Sequence, residues 1–174
     1  MEIWIPFVNS HSAVINFIEP RAWDKIEAVL TRLSNSDWTP LDAFIGKGVP
    51  DGFVYVGGVL ASDGPTWRTL EDNLKNEVEP LPISVSGAPY YLLHVTNIIP
   101  CLNVNGSKVL RSPIDGSLLG VLHYSFDESL LENVFLFRIP EDTQQIFATS
   151  LFKTLIENKK IHNLDFQRPS YSLS

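Results

Sequence analysis

The sequence predicts an α+β fold with a mostly antiparallel sheet and about three helices. Three segments with helical spacing of apolar residues interrupt a larger number of short apolar runs that are typical of strands. Their order lacks the regular strand–helix–strand rhythm of a parallel doubly wound sheet. A chain of 174 residues can bury a self-sufficient core. We therefore expect a single globular domain over 1–174, with 1–60 as a candidate N-terminal subregion.

The first strand and the first helix follow from two different spacings of apolar residues. Alternating apolar side chains along 2–8 predict a strand. Pro20 suits the first turn of a helix, and the apolar residues after it recur at helical spacing. They are Trp23, Ile26, Val29, Leu30 and Leu33. We expect this helix to end within 34–37.

A loop, a strand and a second helix are predicted next. Two prolines and three glycines within 39–52 indicate an irregular loop. The apolar run 53–61 predicts a strand, with a bulge at its two adjacent glycines. Ser62 or Asp63 then caps a helix that has Pro65 in its first turn. Its apolar face contains Trp67, Leu70 and Leu74.

The C-terminal half is predominantly β in character. Its predicted strands span 81–86, 90–99, 109–112, 118–126, 134–139 and 145–148. The pair Asp115-Gly116 predicts a two-residue hairpin turn. Thr149 or Ser150 caps a third helix. Its predicted buried residues are Leu151, Phe152, Leu155 and Ile156. We expect the polar tail 167–174 to fray.

Charge restricts the kinds of partner. Thirteen Lys and Arg against twenty Asp and Glu give a formal net charge of −7. This charge repels phosphate backbones and anionic bilayers, so neither nucleic acid nor a membrane is an expected partner. A protein with a basic surface is favoured instead, because opposite potentials accelerate encounter.

Cysteine usage and hydropathy predict a cytoplasmic protein. The single Cys101 cannot form an internal disulfide, which fits a reducing compartment. The N-terminus lacks the basic and apolar regions of a signal peptide. No apolar run approaches the roughly 18 residues that a membrane span needs.

No motif in the sequence predicts catalysis, a metal site or a cofactor site. The four histidines, His11, His94, His123 and His162, are not spaced as metal ligands. No Gly-rich phosphate loop or GxSxG nucleophile motif is present. A small enzyme that uses Cys101, His94 or His123 is the alternative, because folding can bring distant residues together.

Aromatic and acidic residues indicate a protein-binding surface instead. Trp38 follows a polar turn, and tryptophan often anchors protein interfaces. Acidic residues on and beside the second helix predict a patch that steers a basic partner. The candidate partner-binding residues are Trp38, Asp63, Glu71, Asp72, Glu77 and Glu79.

From Glu79 to the end, the sequence resembles immunity family eleven of bacterial polymorphic toxin systems, formerly a domain of unknown function. The resemblance depends on an ordered series of short motifs. They are Pro-Tyr-Tyr-Leu-Leu-His-Val at 89–95, Cys-Leu-Asn at 101–103 with Ser107, Val-Phe-Leu-Phe-Arg at 134–138, Ile-Phe-Ala-Thr at 146–149 and Leu-Asp-Phe at 164–166. Leu60-Ala61-Ser62 before Trp67 and Leu70 is also similar to the family. Asn103 replaces an expected acid, and Asn163 replaces the usual glycine.

The resemblance implies a function and a partner. Family members are cytoplasmic proteins made beside a toxin, which they neutralise by tight binding without catalysis. The leading hypothesis is therefore an immunity protein for a cognate toxin or effector. An adaptor or chaperone for a secreted effector is a further alternative; it would bind its partner without abolishing toxicity.

Overall fold

A computed structural model describes residues 1–32 and 38–169, and it confirms the predicted α+β class. The helices are α1 Ala22–Arg32, α2 Gly64–Leu74 and α3 Ser150–Asn158, with a short 3-10 helix at Glu128–Leu131. The described strands are β1 Ile3–Val8, β2 Val14–Phe17, β3 Leu41–Lys47, β4 Phe53–Val56, β5 Val59–Asp63, β6 Val78–Val85, β7 Ala88–Val95, β8 Lys108–Arg111, β9 Leu118–His123, β10 Leu136–Ile139, β11 Asp142–Thr149 and β12 Leu164–Gln167. None of the described helices is long and apolar enough to cross a bilayer.

Six strands close into a barrel in the order β2-β3-β6-β7-β5-β4. The β3–β6 and β2–β4 pairs are parallel, and the other four pairs of neighbouring strands in the barrel are antiparallel. Inward-facing residues such as Leu41, Leu81 and Leu92 fill the barrel core. Helix α1 packs Ile26 and Val29 against the same core, because these positions share one face of the helix.

A four-stranded antiparallel sheet has the order β10-β11-β1-β12. The N-terminal strand β1 therefore lies between two strands from the C-terminal part of the chain. The barrel strands span 14–95 and so lie on both sides of residue 60, the end of the candidate N-terminal subregion, which stays a prediction.

Two further cores lie on opposite faces of this sheet. On one face, α2 and α3 pack against the sheet and the barrel through residues such as Leu70, Phe152 and Ala148. On the other face, Phe137 and Phe147 pack with Cys101 and residues of the β8–β9 hairpin. Neighbouring residues of β11 alternate between the two cores, as expected for a strand covered on both sides.

The strand predictions for the barrel need three corrections. The segment 39–52 is not an irregular loop, because it contains β3, and β2 was not predicted at all. The run 53–61 is not one bulged strand but the β4–β5 hairpin. Gly57 and Gly58 form its turn with φ of 52° and 87°, a backbone conformation that glycine adopts without strain.

The β8–β9 hairpin and the tail also differ from expectation. Arg111 pairs with Leu118, so Asp115-Gly116 lies within a longer connection rather than a two-residue turn. Strand β12 includes Gln167, and Arg168 forms an ion pair with Glu2, so the polar tail does not begin at 167. Residues 170–174 and the predicted end of the first helix lie outside the described residues.

The predicted caps of the second and third helices are confirmed, whereas α1 begins at Ala22, two residues after Pro20. Asp63 caps α2, where its Oδ1 accepts a 2.7 Å hydrogen bond from the Thr66 N–H. Thr149 caps α3 in the same way, through the N–H of Leu151. Phe152 and Ile156 of α3 are buried, but Leu151 is exposed, contrary to expectation.

Candidate functional site

The most exposed tryptophan described is Trp23, near the start of α1. Helical spacing predicts it on the buried face, yet 46% of it is exposed, whereas Ile26 in the next turn is buried. Its ring packs edge-on against Phe17, with 5.7 Å between centroids. One side of the indole is thus fixed by the protein while the other meets solvent, as in an interface anchor.

Gly57 lets Trp23 approach the β4–β5 turn. A Cβ atom at position 57 would lie 2.1 Å from Cη2 of the indole, closer than any side chain permits. The same residue has φ of 52°. Glycine at this position therefore serves both the turn and the placement of Trp23.

Arg138 is a buried charge at the floor of the same region. It lies in β10 and is only 4% exposed. Its Nη1 donates a 3.0 Å hydrogen bond to the carbonyl of Thr143 and a longer one of 3.5 Å to Leu30. In the described parts of the chain, its Nε has no hydrogen-bond partner and no carboxylate lies within ion-pair distance of the guanidinium.

These residues surround a pocket of about 380 Å³ between α1, the β4–β5 turn and the β10–β11 hairpin, which we call the Trp23–Arg138 pocket. Its exposed rim consists of Trp23, Glu27, Thr31, Gly57, Thr143 and Gln144. Its less exposed lining consists of Ile26, Leu30, Val59 and Arg138. The pocket thus combines an exposed indole, a buried guanidinium and a polar rim.

A buried histidine lies near Arg138. His94 of β7 is fully buried, and its Nδ1 lies 3.4 Å from Oε2 of Glu79. Burial and the charge of Arg138 lower the pKa of His94, although the Glu79 carboxylate opposes this effect. Burial also lowers the pKa of Arg138, which still remains far above neutral in an arginine. The guanidinium is thus the cation of this region at pH 7.

The predicted acidic residues on α2 form only part of a patch. Glu71 and Asp72 of α2 are exposed, whereas Trp67, one turn before Glu71, is buried. Arg68 and Lys75 are exposed on the same helix and its C-terminal cap, and Lys75 lies 3.9 Å from Asp72. The patch is therefore of mixed charge.

Asp63 and Glu79 have local partners. Besides capping α2, Asp63 accepts a 3.0 Å hydrogen bond from the Gly52 N–H. Glu79 is in β6, where it approaches His94. Their contribution to partner binding stays a prediction.

Glu77 does not face solvent, so its predicted place in an exposed patch is wrong. It lies beyond the end of α2 and is 8% exposed. Its carboxylate accepts hydrogen bonds from the N–H groups of Phe135 and Leu136 at 2.7–3.1 Å. Burial raises the pKa of Glu77 despite these hydrogen bonds. The residue joins two distant segments of the chain.

Trp38 is partly buried against the barrel core. Its Nε1 donates a 2.9 Å hydrogen bond to the carbonyl of Pro82. These contacts stabilise the barrel, and a role for Trp38 in partner binding remains a prediction. The polar turn before it lies outside the described residues.

The residues proposed for an enzyme are poorly suited to catalysis. Cys101 is buried, and burial raises the pKa of its thiol to about 11, so it is protonated at neutral pH. His94 is enclosed, whereas His123 is exposed on β9. Within 1–32 and 38–169, no three His, Cys, Asp or Glu side chains are grouped so that they could hold a metal ion.

The β8–β9 hairpin is a second exposed surface that the sequence analysis did not identify. It forms a separate two-stranded sheet, and three of its apolar side chains are exposed. They are Leu110, Ile114 and Leu119.

The Trp23–Arg138 pocket could have been recognised only in part from the sequence. Arg138 interrupts the apolar run 134–139, and a charge inside a buried strand indicates a special environment. Nothing in the local pattern distinguishes Trp23 from the core residues of its helix. Its exposure depends on the distant β4–β5 turn.

Comparison with protein families identifies the class of protein. The model of the immunity protein family Imm11 matches residues 81–170, more than half of the chain. The chain therefore belongs to the immunity protein family Imm11, as the resemblance implied. Comparison with curated proteins gives no significant match.

The matched segment includes Arg138 and His94 but neither Trp23 nor α2. It also includes the two departures from the family pattern. Asn163 adopts φ of 66°, which asparagine tolerates better than most residues, and its Nδ2 donates to the Asp51 carbonyl. Asn103 accepts a hydrogen bond from the Gly106 N–H, so both asparagines have local roles.

Proposed function

We propose that this protein is the immunity partner of a bacterial toxin, which it neutralises in the cytoplasm by direct protein–protein contact. Its membership of the Imm11 family carries the proposal. An immunity protein protects the cell that makes the toxin, so the two proteins must meet where the toxin acts. The cognate toxin is expected to be encoded beside this chain.

Binding, rather than a reaction on the toxin, is the proposed mode of action. The protonated Cys101 thiol is a weak nucleophile, and His94 is enclosed by protein. The Trp23–Arg138 pocket, by contrast, has the composition of an interface hot spot, in which tryptophan and arginine are enriched.

The charge of the chain supports a basic partner. Glu71 and Asp72 are exposed on α2, and the net charge of the whole chain is −7. Long-range attraction would accelerate encounter with a toxin whose surface is basic, while short-range contacts determine how long the complex lasts. Asp63 and Glu79 are further candidates for this surface.

Co-expression with the neighbouring open reading frames tests the function. Each frame would be induced with and without this chain in a susceptible bacterium, and growth and cell survival would be measured. We expect one frame to be toxic alone and harmless with the chain, and the two purified proteins to form a stable complex. A frameshifted copy of the chain provides the control.

Two outcomes would contradict the proposal. Binding without protection would indicate an adaptor or chaperone. Protection without a detectable complex, together with chemical modification of the toxin found by mass spectrometry, would indicate an enzyme.

A further inference from the structure

We propose that the Trp23–Arg138 pocket is the site at which this protein binds a carboxylate group of its toxin. The inference rests on the proposed function and adds the chemistry of one contact. The carboxylate belongs either to an Asp or Glu side chain or to the C-terminal residue of the toxin. Both sources present the same planar anion to the guanidinium.

The unpaired charge of Arg138 is the first observation. Burying an ion is strongly unfavourable unless a counterion and hydrogen bonds compensate for the lost hydration. Arg138 is only 4% exposed, and its hydrogen bonds are to two backbone carbonyls. No carboxylate in 1–32 or 38–169 is paired with it. A carboxylate from outside the chain would supply the missing counterion.

The free donors of Arg138 are the second observation. A guanidinium has five N–H donors, and the two hydrogen bonds of Arg138 both use Nη1. Nε is buried and has no partner among residues 1–32 and 38–169. An unused buried donor is unfavourable, and a carboxylate can accept two parallel N–H bonds from a guanidinium. The geometry of the donor group thus matches a carboxylate.

The surroundings favour a single carboxylate over a phosphate. Glu27 lies on the rim, and the chain as a whole is negative, so an anion with two or more charges would be repelled. His94 near the guanidinium has a lowered pKa and adds no second positive charge at pH 7. One buried cation is suited to one negative charge.

Trp23 supplies the apolar part of the contact. Its exposed face stands on the rim of the pocket, where it can cover the aliphatic part of an inserted residue and exclude water. Excluding water strengthens the ion pair inside the pocket, because the effective dielectric falls. The volume of about 380 Å³ accommodates one amino-acid side chain or one chain terminus.

Small probes test the carboxylate site without the toxin. Wild-type protein would be titrated with N-acetylglutamate N-methylamide, N-acetylalanine carrying a free carboxylate, the neutral N-acetylglutamine N-methylamide, and inorganic phosphate. NMR would follow the N–H resonances of Arg138 Nε and Trp23 Nε1. We expect a saturable shift of both with at least one carboxylate probe and none with the neutral amide.

The probes also distinguish the two sources. A stronger response to N-acetylglutamate N-methylamide assigns the pocket to an acidic side chain, and a stronger response to N-acetylalanine assigns it to a chain terminus. The inference is overturned if neither carboxylate shifts the Arg138 resonance, or if phosphate or the neutral amide binds as well as the carboxylates do.

The affinity of substituted proteins for the toxin provides the second test. Trp23→Ala should weaken binding by on the order of thirtyfold, as for a hot-spot residue. Phe44→Ala is the matched control, because Phe44 is also 46% exposed but does not line the pocket. It should leave the affinity within about twofold. Arg138→Lys, which keeps the charge but loses the paired donors, should abolish the carboxylate response in a variant shown to be folded.

The two proposals fail separately. If the toxin binds and is neutralised but Trp23→Ala is no weaker than Phe44→Ala, the pocket is not the contact and the proposed function stands. If the carboxylate probes bind but no neighbouring gene product does, the pocket is a carboxylate site, while the proposed function and the assignment of the carboxylate to a toxin both fail.

Discussion

Glu77 accepts a 2.7 Å hydrogen bond from the backbone N–H of Leu136, the first residue of β10. The same carboxylate binds the N–H of Phe135, so a single buried side chain joins the segment before β6 to the edge strand of the four-stranded sheet.

Removing the Glu77 carboxylate should destabilise the fold. Glu77→Ala leaves two backbone donors without their acceptor, and we expect the free energy of unfolding to fall by about 2 kcal/mol or more. Urea denaturation followed by circular dichroism measures this. Glu71→Ala, on the exposed face of α2, is the control and should change stability by no more than about 0.5 kcal/mol. Equal effects of the two substitutions would contradict the structural role of Glu77.

The lowered pKa of His94 predicts a loss of stability in acid. Between the folded-state pKa and the ordinary value of about 6.5, the unfolded chain binds more protons than the folded one. The contribution of His94 to stability is therefore present above about pH 6.5 and is lost as the pH falls through the folded-state pKa. NMR titration of the imidazole C–H resonance should show a midpoint below the ordinary value of about 6.5. If the midpoint lies at or above 6.5, the Glu79 carboxylate raises the pKa of His94 by at least as much as burial and Arg138 lower it.

The contact between Gly57 and Trp23 can be isolated with two alanine substitutions. Gly58→Ala meets no atom within 4 Å and should cost about 1–2 kcal/mol through its positive φ alone. Gly57→Ala has a comparable backbone penalty and also displaces the indole, so it should cost more. In a Trp23→Ala background the extra cost should disappear, which a double-mutant cycle measures. If Gly57→Ala still costs more stability than Gly58→Ala in the Trp23→Ala background, the extra cost does not arise from contact with the indole.

Charge reversal on α2 should affect the rate of complex formation. Glu71→Lys with Asp72→Lys is expected to slow association with the toxin severalfold and to flatten its salt dependence, while dissociation changes little. Stopped-flow binding at low and high salt measures both rates. The control reverses Glu132 and Asp165, two exposed acids elsewhere, and changes the net charge equally. If both pairs slow association to the same extent, the effect belongs to the net charge and not to α2.

Elements with local signals were predictable from the sequence, whereas those that depend on distant pairing were not. Asp63 and Pro65 predict the start of α2 because a cap and a first-turn proline act within a few residues. Strand β3 was missed because Gly46 and the two glycines that follow the strand resemble those of a loop, and because its parallel partner, β6, lies about forty residues away. Leu41 and Ala43 do alternate with exposed residues, but so short a pattern is ambiguous.

The candidate site shows the same limit. The acids Glu71 and Asp72 were placed correctly on the outer face of α2, because helical spacing determines which residues face the core. Glu77 was misplaced, because the helix ends before it and the chain turns inward. Trp23 and Arg138 meet only through the arrangement of the barrel against the β10–β11 hairpin, which no local pattern encodes.

The position of β1 between β11 and β12 has a consequence for biosynthesis. Among the described strands β1 is made before all the others, whereas its partners β11 and β12 are made after all six barrel strands. Until β11 and β12 have been made, both edges of β1 have unpaired backbone N–H and C=O groups, as exposed strand edges do. The barrel strands, by contrast, are complete once residue 95 has emerged. A nascent chain therefore acquires its four-stranded sheet, and the β10–β11 side of the Trp23–Arg138 pocket, only after the barrel strands have been made.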